Sequence, residues 1–372
     1  MQGIFSSRVV RVYVVPGAVF QSVMIGGGYG TGREIVEFFT SFGLLGGLLG
    51  LGVAFLVLSL VLALTFELAR SFRVYDYRNF FKLLLGRGWV AFEILVVLLF
   101  LLILAVLASA AGNILRDNFG IPYVAGLSVM LLVIGVLTFY GRELIARVLT
   151  FWSLVLYIVF GTFFVAVLGS GWEPIADAFA GGEVVAGWWR SGFTYAMYNL
   201  AVAPLLLYVT RGFETRAQAL TSGVVAGAIA MLPAVMFHIS FFAAYPGILH
   251  QALPAYWLIS ELGLTWLLVI FSIVLFGTFI ETGAGMLQGI NERIDTWLAE
   301  RRGKGLGRTA HAILAVSAIL VSALLSLWGI TSLIAQGYGT IAWGFFAVFM
   351  VPLVTVGVYR IAMARDKSFE KA

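Results

Sequence analysis

Cysteine is absent from all 372 residues, which removes disulfides, thiolate metal ligands and a thiol nucleophile together. Histidine occurs only at His238, His250 and His311, a spacing that offers no histidine metal cluster. Charged residues make up 11% of the chain, too few to clothe a soluble domain. Alternating ten-residue strands are missing, so a membrane β-barrel is excluded. No phosphate-binding loop of the GxxxxGK type occurs, so ATP-driven pumping would need a partner chain. Nucleophile, base and orienting acid are nowhere found at usable spacing, and the chain is read as a non-enzyme without a resident cofactor.

What the chain has instead is apolar surface: 61% hydrophobic residues and a mean hydropathy of +1.02. A hydrocarbon core of about 30 Å is crossed by roughly 20 helical residues. By that measure the sequence predicts an all-α polytopic membrane protein with ten spans, near 10–41, 43–69, 88–115, 122–140, 143–170, 190–212, 217–244, 262–296, 309–327 and 331–361. The first apolar run carries no small-residue cleavage pattern, so it is expected to stay attached as a span. Basic residues test the count. With both termini cytoplasmic, 20 of the 23 Lys and Arg fall inside, including Arg142 and Arg147, and only Arg116 and Arg190 fall outside. Every loop then obeys the positive-inside rule, which predicts a cell (inner) membrane protein. The pI near 9.4 thus reflects topology and implies no nucleic-acid partner. The chain reads as a single membrane domain, 1–372, with connections at 171–189 and 245–261 long enough to form an amphipathic segment and a lid.

From Met24 the first span reads MIGGGYGTGREIVEFF, with five glycines between Gly26 and Gly32. Unwound backbone in hydrocarbon is tolerated only where protein, water or a ligand completes it. A break here exposes amides that attract an anionic group and carbonyls that attract a cation. The sixth span carries Tyr195, Tyr198 and Asn199 at its middle with Pro204 behind them, and a second break is expected there. First and sixth correspond if 10–170 and 190–361 are two five-helix repeats, inserted with opposite orientation. The glycine run also contains GYGT, repeated at Gly337–Thr340, but neither copy has the residues or pore helix of a potassium filter.

With helix count, orientation and these two motifs together, the sequence resembles the ten-helix LeuT-type fold of the amino acid, polyamine and organocation superfamily. More narrowly, GGGYGTGREIVEFF with YNLAVAP resembles the YkvI-type putative amino acid permeases. The resemblance implies a substrate held between the first, third, sixth and eighth helices, by Gly26, Gly27, Gly28, Tyr29, Gly30, Tyr195, Tyr198 and Asn199. It also implies that hydroxyls on helix eight help bind Na⁺ opposite the broken first helix.

Ionisable residues within a span cost about 2.5–3.5 kcal/mol each, so they invite a functional reading. Glu281, with Thr278 and Thr282, is the expected cation-binding or coupling group, for Na⁺ or H⁺. The superfamily's alternative, a lysine on the fifth helix, is missing here. Arg33 and Glu37 are spaced i, i+4 and pair along one face; the resemblance implies an outer gate at Arg33, whose usual acid on the tenth helix is absent, leaving Glu34, Glu37, Gln336 or Tyr338 as partner. Glu67 and Glu93 are expected to pair with nearby arginines. The function predicted is symport of a small zwitterionic solute, an amino acid or relative, with Na⁺ or H⁺ by alternating access; the alternatives are an ion channel or a non-transporting sensor on a transporter scaffold.

Overall fold

The computed structural model describes residues 7–140, 142–302, 305 and 307–369, without the side chains of 118, 139–154, 300–302, 308 and 365–369. The side chains of Arg142 and Arg147 and of every basic residue of 301–308 and 365–371, which entered the topology argument, therefore lie outside the described residues.

The described chain is helical throughout. In order it forms α1 (Val10–Met24), α2 (Gly27–Gly30), α3 (Arg33–Phe38), α4 (Leu44–Phe72), α5 (Tyr77–Leu85), α6 (Trp89–Phe119), α7 (Tyr123–Tyr140) and α8 (Arg142–Ser170). There follow α9 (Trp172–Gly181), α10 (Trp188–Asn199), α11 (Arg216–Phe241), α12 (Pro254–Glu261), α13 (Thr265–Arg302), α14 (Arg308–Ser326) and α15 (Ile330–Ala364). Among the described residues, seven helices are long and apolar enough to cross a membrane, and the bent pair of α8 and α9 makes an eighth. Two shorter apolar helices, Val10–Met24 and Tyr123–Thr138, join them. The connection at 171–189 holds α9, which turns 83° away from α8.

Glycine lets the central helices touch backbone to backbone. A Cβ on Gly223 of α11 would lie 2.3 Å from the Ala63 amide nitrogen of α4, and one on Gly227 would lie 2.3 Å from Ser59 Oγ. Both pairs are spaced i, i+4, so a small-residue stripe on each helix meets the other, the packing that replaces hydrophobic burial between helices in lipid. Gly17 of α1 makes the same close approach to Ala226 and Ile229 of α11. Helices α1, α4 and α11 thus form one tight group against which the first span's outer half is set.

The first span is interrupted where the glycines predict. Ile25 (φ −75°, ψ 84°) and Gly26 (φ −103°, ψ −162°) leave the helical region, and the Gly26 amide donates to Met24 O at 2.8 Å instead of to the preceding turn. Gly32 (φ +80°) adds a second turn before α3. The sixth span corrects the expectation of a matching break. It runs unbroken from Trp188 to Gly212, but its α-helix ends at Asn199 and 13 residues of 3₁₀-helix follow, Leu200–Gly212. Pro204 has no N–H to give, and the tighter winding accommodates this without extended backbone; Asn199 Nδ2 donates to Tyr195 O at 3.0 Å, taking up a carbonyl one turn back. The tenth span, α15, contains π-helical stretches at Leu333–Tyr338, Phe346–Met350 and Leu353–Gly357.

Gly223→Val is expected to lower the melting temperature in detergent by several degrees, since overpacking costs about 1–3 kcal/mol. Gly52→Val, where a Cβ meets nothing within 4 Å, is expected to leave it unchanged. Equal melting temperatures for the two would remove the close contact between α4 and α11 from the stability argument.

Candidate substrate and cation site

Two clusters gather around the interrupted first span. On one side, Thr278, Glu281 and Thr282 of α13 meet Ser22 and Ile25 of the first span and Leu156 and Tyr157 of α8 around a small void of about 10 Å³. That is close to the room one water occupies by the same measure, roughly 10–15 Å³. The polar side chains among its lining residues, Ser22, Tyr157, Thr278, Glu281 and Thr282, carry only oxygen, a chemistry suited to a hard cation. Thr278 Oγ1 currently donates to Val274 O at 2.9 Å, and Tyr157 donates to Gln21 Oε1 at 2.5 Å. The three α13 residues singled out by the sequence are therefore brought together beside the break. Gly26 approaches them too, since a Cβ there would lie 3.8 Å from Thr282 Cγ2.

Glu281 and Thr282 also line a larger cavity of about 510 Å³, with Ser22 and Val23 of α1, Leu205 after α10, and Gly285, Gln288 and Arg293 farther along α13. It reaches the end of the bundle where Arg8 at the start of the described chain pairs with Glu214 and where Arg293 bonds Glu93 at 2.8 Å. Glu67 likewise pairs with Arg70 at 2.8 Å.

The second cluster lies on the other side of the break. Glu34, which the sequence reading left at the gate, is 3% exposed and turns inward: its Oε2 accepts from the Tyr198 hydroxyl at 2.5 Å. A Cβ on Gly28 would lie 2.3 Å from Glu34 Oε1, so the carboxylate rests on the glycine backbone. The Tyr198 ring lies 4.8 Å from Tyr338 of α15, 5.5 Å from Tyr195 and 5.6 Å from Phe38 of α3. The Tyr29 side chain goes elsewhere, its ring edge-on to Phe237 of α11 at 6.3 Å. Gly27 and Gly30 serve contact with α6 and α13, where added Cβ atoms would meet Leu107 at 2.6 Å and Leu275 at 3.1 Å.

The gate residues are rearranged relative to expectation. Arg33 does pair with Glu37 at 2.7 Å, but its remaining bonds go to backbone carbonyls, Leu249 O at 2.9 Å and Gln251 O at 3.1 Å. Tyr338 belongs with Tyr198 and not with Arg33. The connection at 245–261 is thus tied onto the first span, and Ala255 N donates to Thr31 O at 3.0 Å beside it. None of these tied residues lines the 510 Å³ cavity. Sequence reasoning missed these ties because carbonyl acceptors carry no residue signature. It missed Glu34 because helix phase after a glycine break is unreadable, whereas the spacing of Glu34 to the apolar Ile35, Phe38 and Phe39 was a usable hint of burial.

No family profile and no curated protein matches this sequence. Solved structures do match the fold. A Na⁺-coupled sialic acid symporter aligns with TM-score 0.62 at 13% identity, covering 91% of this chain and 78% of that one. The manganese transporter of Eremococcus coleocola aligns with TM-score 0.53 at 11% identity, covering 98% and 97%. The chain is therefore similar in fold to secondary transporters of the LeuT type, over nearly its whole length. It is a multi-pass membrane protein of that architecture.

Because the chain lacks cysteine, a single Gly285→Cys, in open space on the cavity wall, reports its access. Adding Arg33→Ala is expected to slow maleimide labelling at that position several-fold, as release of the opposite side lets the cavity close. An unchanged labelling rate would mean that Arg33 does not hold the closed side.

Proposed function

We propose that the chain is a secondary carrier that moves a small zwitterionic solute, an amino acid or a related compound, by symport with Na⁺ or H⁺ through alternating access. The observation that carries this reading is the interruption of the first apolar span at Ile25–Gly26, beside a void of about 10 Å³ lined in part by Ser22, Tyr157, Thr278, Glu281 and Thr282. Unwound backbone within an apolar span is tolerated where protein, water or a ligand completes it, and a bound ion or solute would do so here. In this reading the chain has ten spans, arranged as the repeats 10–170 and 190–361, with both termini cytoplasmic. The 510 Å³ cavity is then the inward path, and the bonds of Arg33 to Glu37, Leu249 and Gln251 are the shut outer gate. The YkvI-type resemblance of GGGYGTGREIVEFF and YNLAVAP supports an amino acid as solute.

Thr278, Glu281 and Thr282 are assigned to the coupling ion. Their oxygens, with the carbonyls released at the break, would hold Na⁺; Glu281 alone would hold a proton. The glycine backbone, Tyr195, Tyr198 and Asn199 are assigned to the solute.

Flux into proteoliposomes tests the proposal. Uptake of labelled amino acids should saturate and should respond to an imposed Na⁺ or H⁺ gradient. Glu281→Gln should abolish the response to that gradient. Thr278→Ala should weaken the ion's apparent affinity about tenfold, equivalent to roughly 1.4 kcal/mol for one lost ligand, if the ion is Na⁺. Non-saturating current would indicate a channel, and ligand binding without flux would indicate a sensor.

A further inference from the structure

Glu34 is a carboxylate without a counter-charge. It is 3% exposed, and among the described residues no basic side chain forms an ion pair with it. The adjacent Arg33 is committed elsewhere, to Glu37 and two loop carbonyls. Burying a lone carboxylate in this way is costly, and such groups persist where a partner arrives during function.

The walls around Glu34 indicate what kind of partner. Tyr198 reaches it with its hydroxyl, while the Tyr198 ring packs against Phe38 and Tyr338. Tyr195 lies alongside, 5.5 Å from Tyr198, 5.7 Å from Phe38 and 4.8 Å from Phe39. The Tyr195 hydroxyl is fully buried and has no hydrogen-bond partner, so a second polar atom stands unused in the same cluster. A carboxylate enclosed by aromatic rings complements an amine or alkylated ammonium: the charge meets the carboxylate and its CH groups meet the ring faces, an attraction strongest where water is excluded. An anion is disfavoured at the same place by direct repulsion.

We propose that Glu34 binds the positively charged nitrogen of the transported solute, with Phe38, Tyr195, Tyr198 and Tyr338 as the surrounding walls. This rests on the carrier reading above and adds the substrate's required charge. The Tyr198–Glu34 hydrogen bond holds the carboxylate when the solute is absent, and the ammonium replaces the tyrosine as its partner on binding. Glu281 lies across the break on α13 and remains the group for the coupling ion, so the two carboxylates have separate cargo.

Thermal stability of the purified full chain tests this, because a ligand that binds the folded state raises its melting temperature. The probes are L-alanine, L-leucine, glycine betaine and choline, with lactate and pyruvate as partners lacking the cationic nitrogen. At least one cationic-nitrogen probe should stabilise the wild type and neither acid should. Glu34→Gln, isosteric and still able to accept from Tyr198, should weaken that probe's binding about 100-fold. Glu34→Asp, which keeps the charge but withdraws it by one methylene, should weaken it less and serves if the glutamine variant does not fold.

The proposal is overturned if no cationic probe stabilises the protein, or if lactate or pyruvate does so equally in wild type and Glu34→Gln. It is also overturned if Glu34→Gln binds normally and loses only the proton dependence of uptake, because Glu34 would then carry the coupling proton. Glu34-dependent binding of an amine without flux into proteoliposomes would instead sink the carrier reading and leave the amine site standing.

Discussion

In hydrocarbon every backbone amide and carbonyl must find a partner within the protein, and the interruption at Ile25–Gly26 is the place where this chain departs from that requirement. The rest of the architecture can be understood as what keeps the interruption in place. Helices α4 and α11 meet through Ser59, Ala63, Gly223 and Gly227, close enough that backbones touch, and Gly17 anchors the inner half of the first span to the same pair. The half after the break is fastened separately, through Arg33 and Thr31, to the connection that follows α11. With both halves fixed, the unwound residues between them are held open toward α13 and toward the aromatic cluster of α10 and α15.

Charge is distributed unevenly around the break. Glu281 lines a small void and the 510 Å³ cavity. Glu34 faces tyrosines on the closed side, sealed from both. Arg33, one residue earlier, points away from Glu34 and neutralises Glu37. That divergence follows from helix geometry, since neighbouring residues on a helix point about 100° apart and do not face one another. It leaves an acid, and not an acid–base pair, at the centre of the cluster.

The span that carries Gly26 and the span that carries Pro204 meet the loss of regular helical bonding by different means. In the first, glycine supplies conformations that other residues resist, and the helix opens outright. In the sixth, Asn199 and Pro204 loosen the winding, but the side chains of Tyr195 and Tyr198 are needed at the core and no glycine run exists to let the chain extend. A continuous 3₁₀ stretch is the outcome. Proline and asparagine in the sequence indicated that the ladder would change there, yet they do not say whether it opens or tightens; in the fold the stretch after Asn199 packs chiefly against α4 and α1.

Composition and local pattern alone determined that the chain is helical and membrane-embedded, where its apolar runs lie, and that the first span must be interrupted near Gly26. These are properties of short windows: twenty apolar residues, or five glycines in seven. The grouping of Thr278, Glu281 and Thr282 on one stretch of α13 was legible for the same reason. Only the tertiary structure decided that Glu34 turns to Tyr198, that Tyr338 joins them, and that Arg33 is held by the carbonyls of Leu249 and Gln251. Those contacts join residues as many as 218 positions apart and use backbone acceptors that every residue possesses, so no sequence window encodes them.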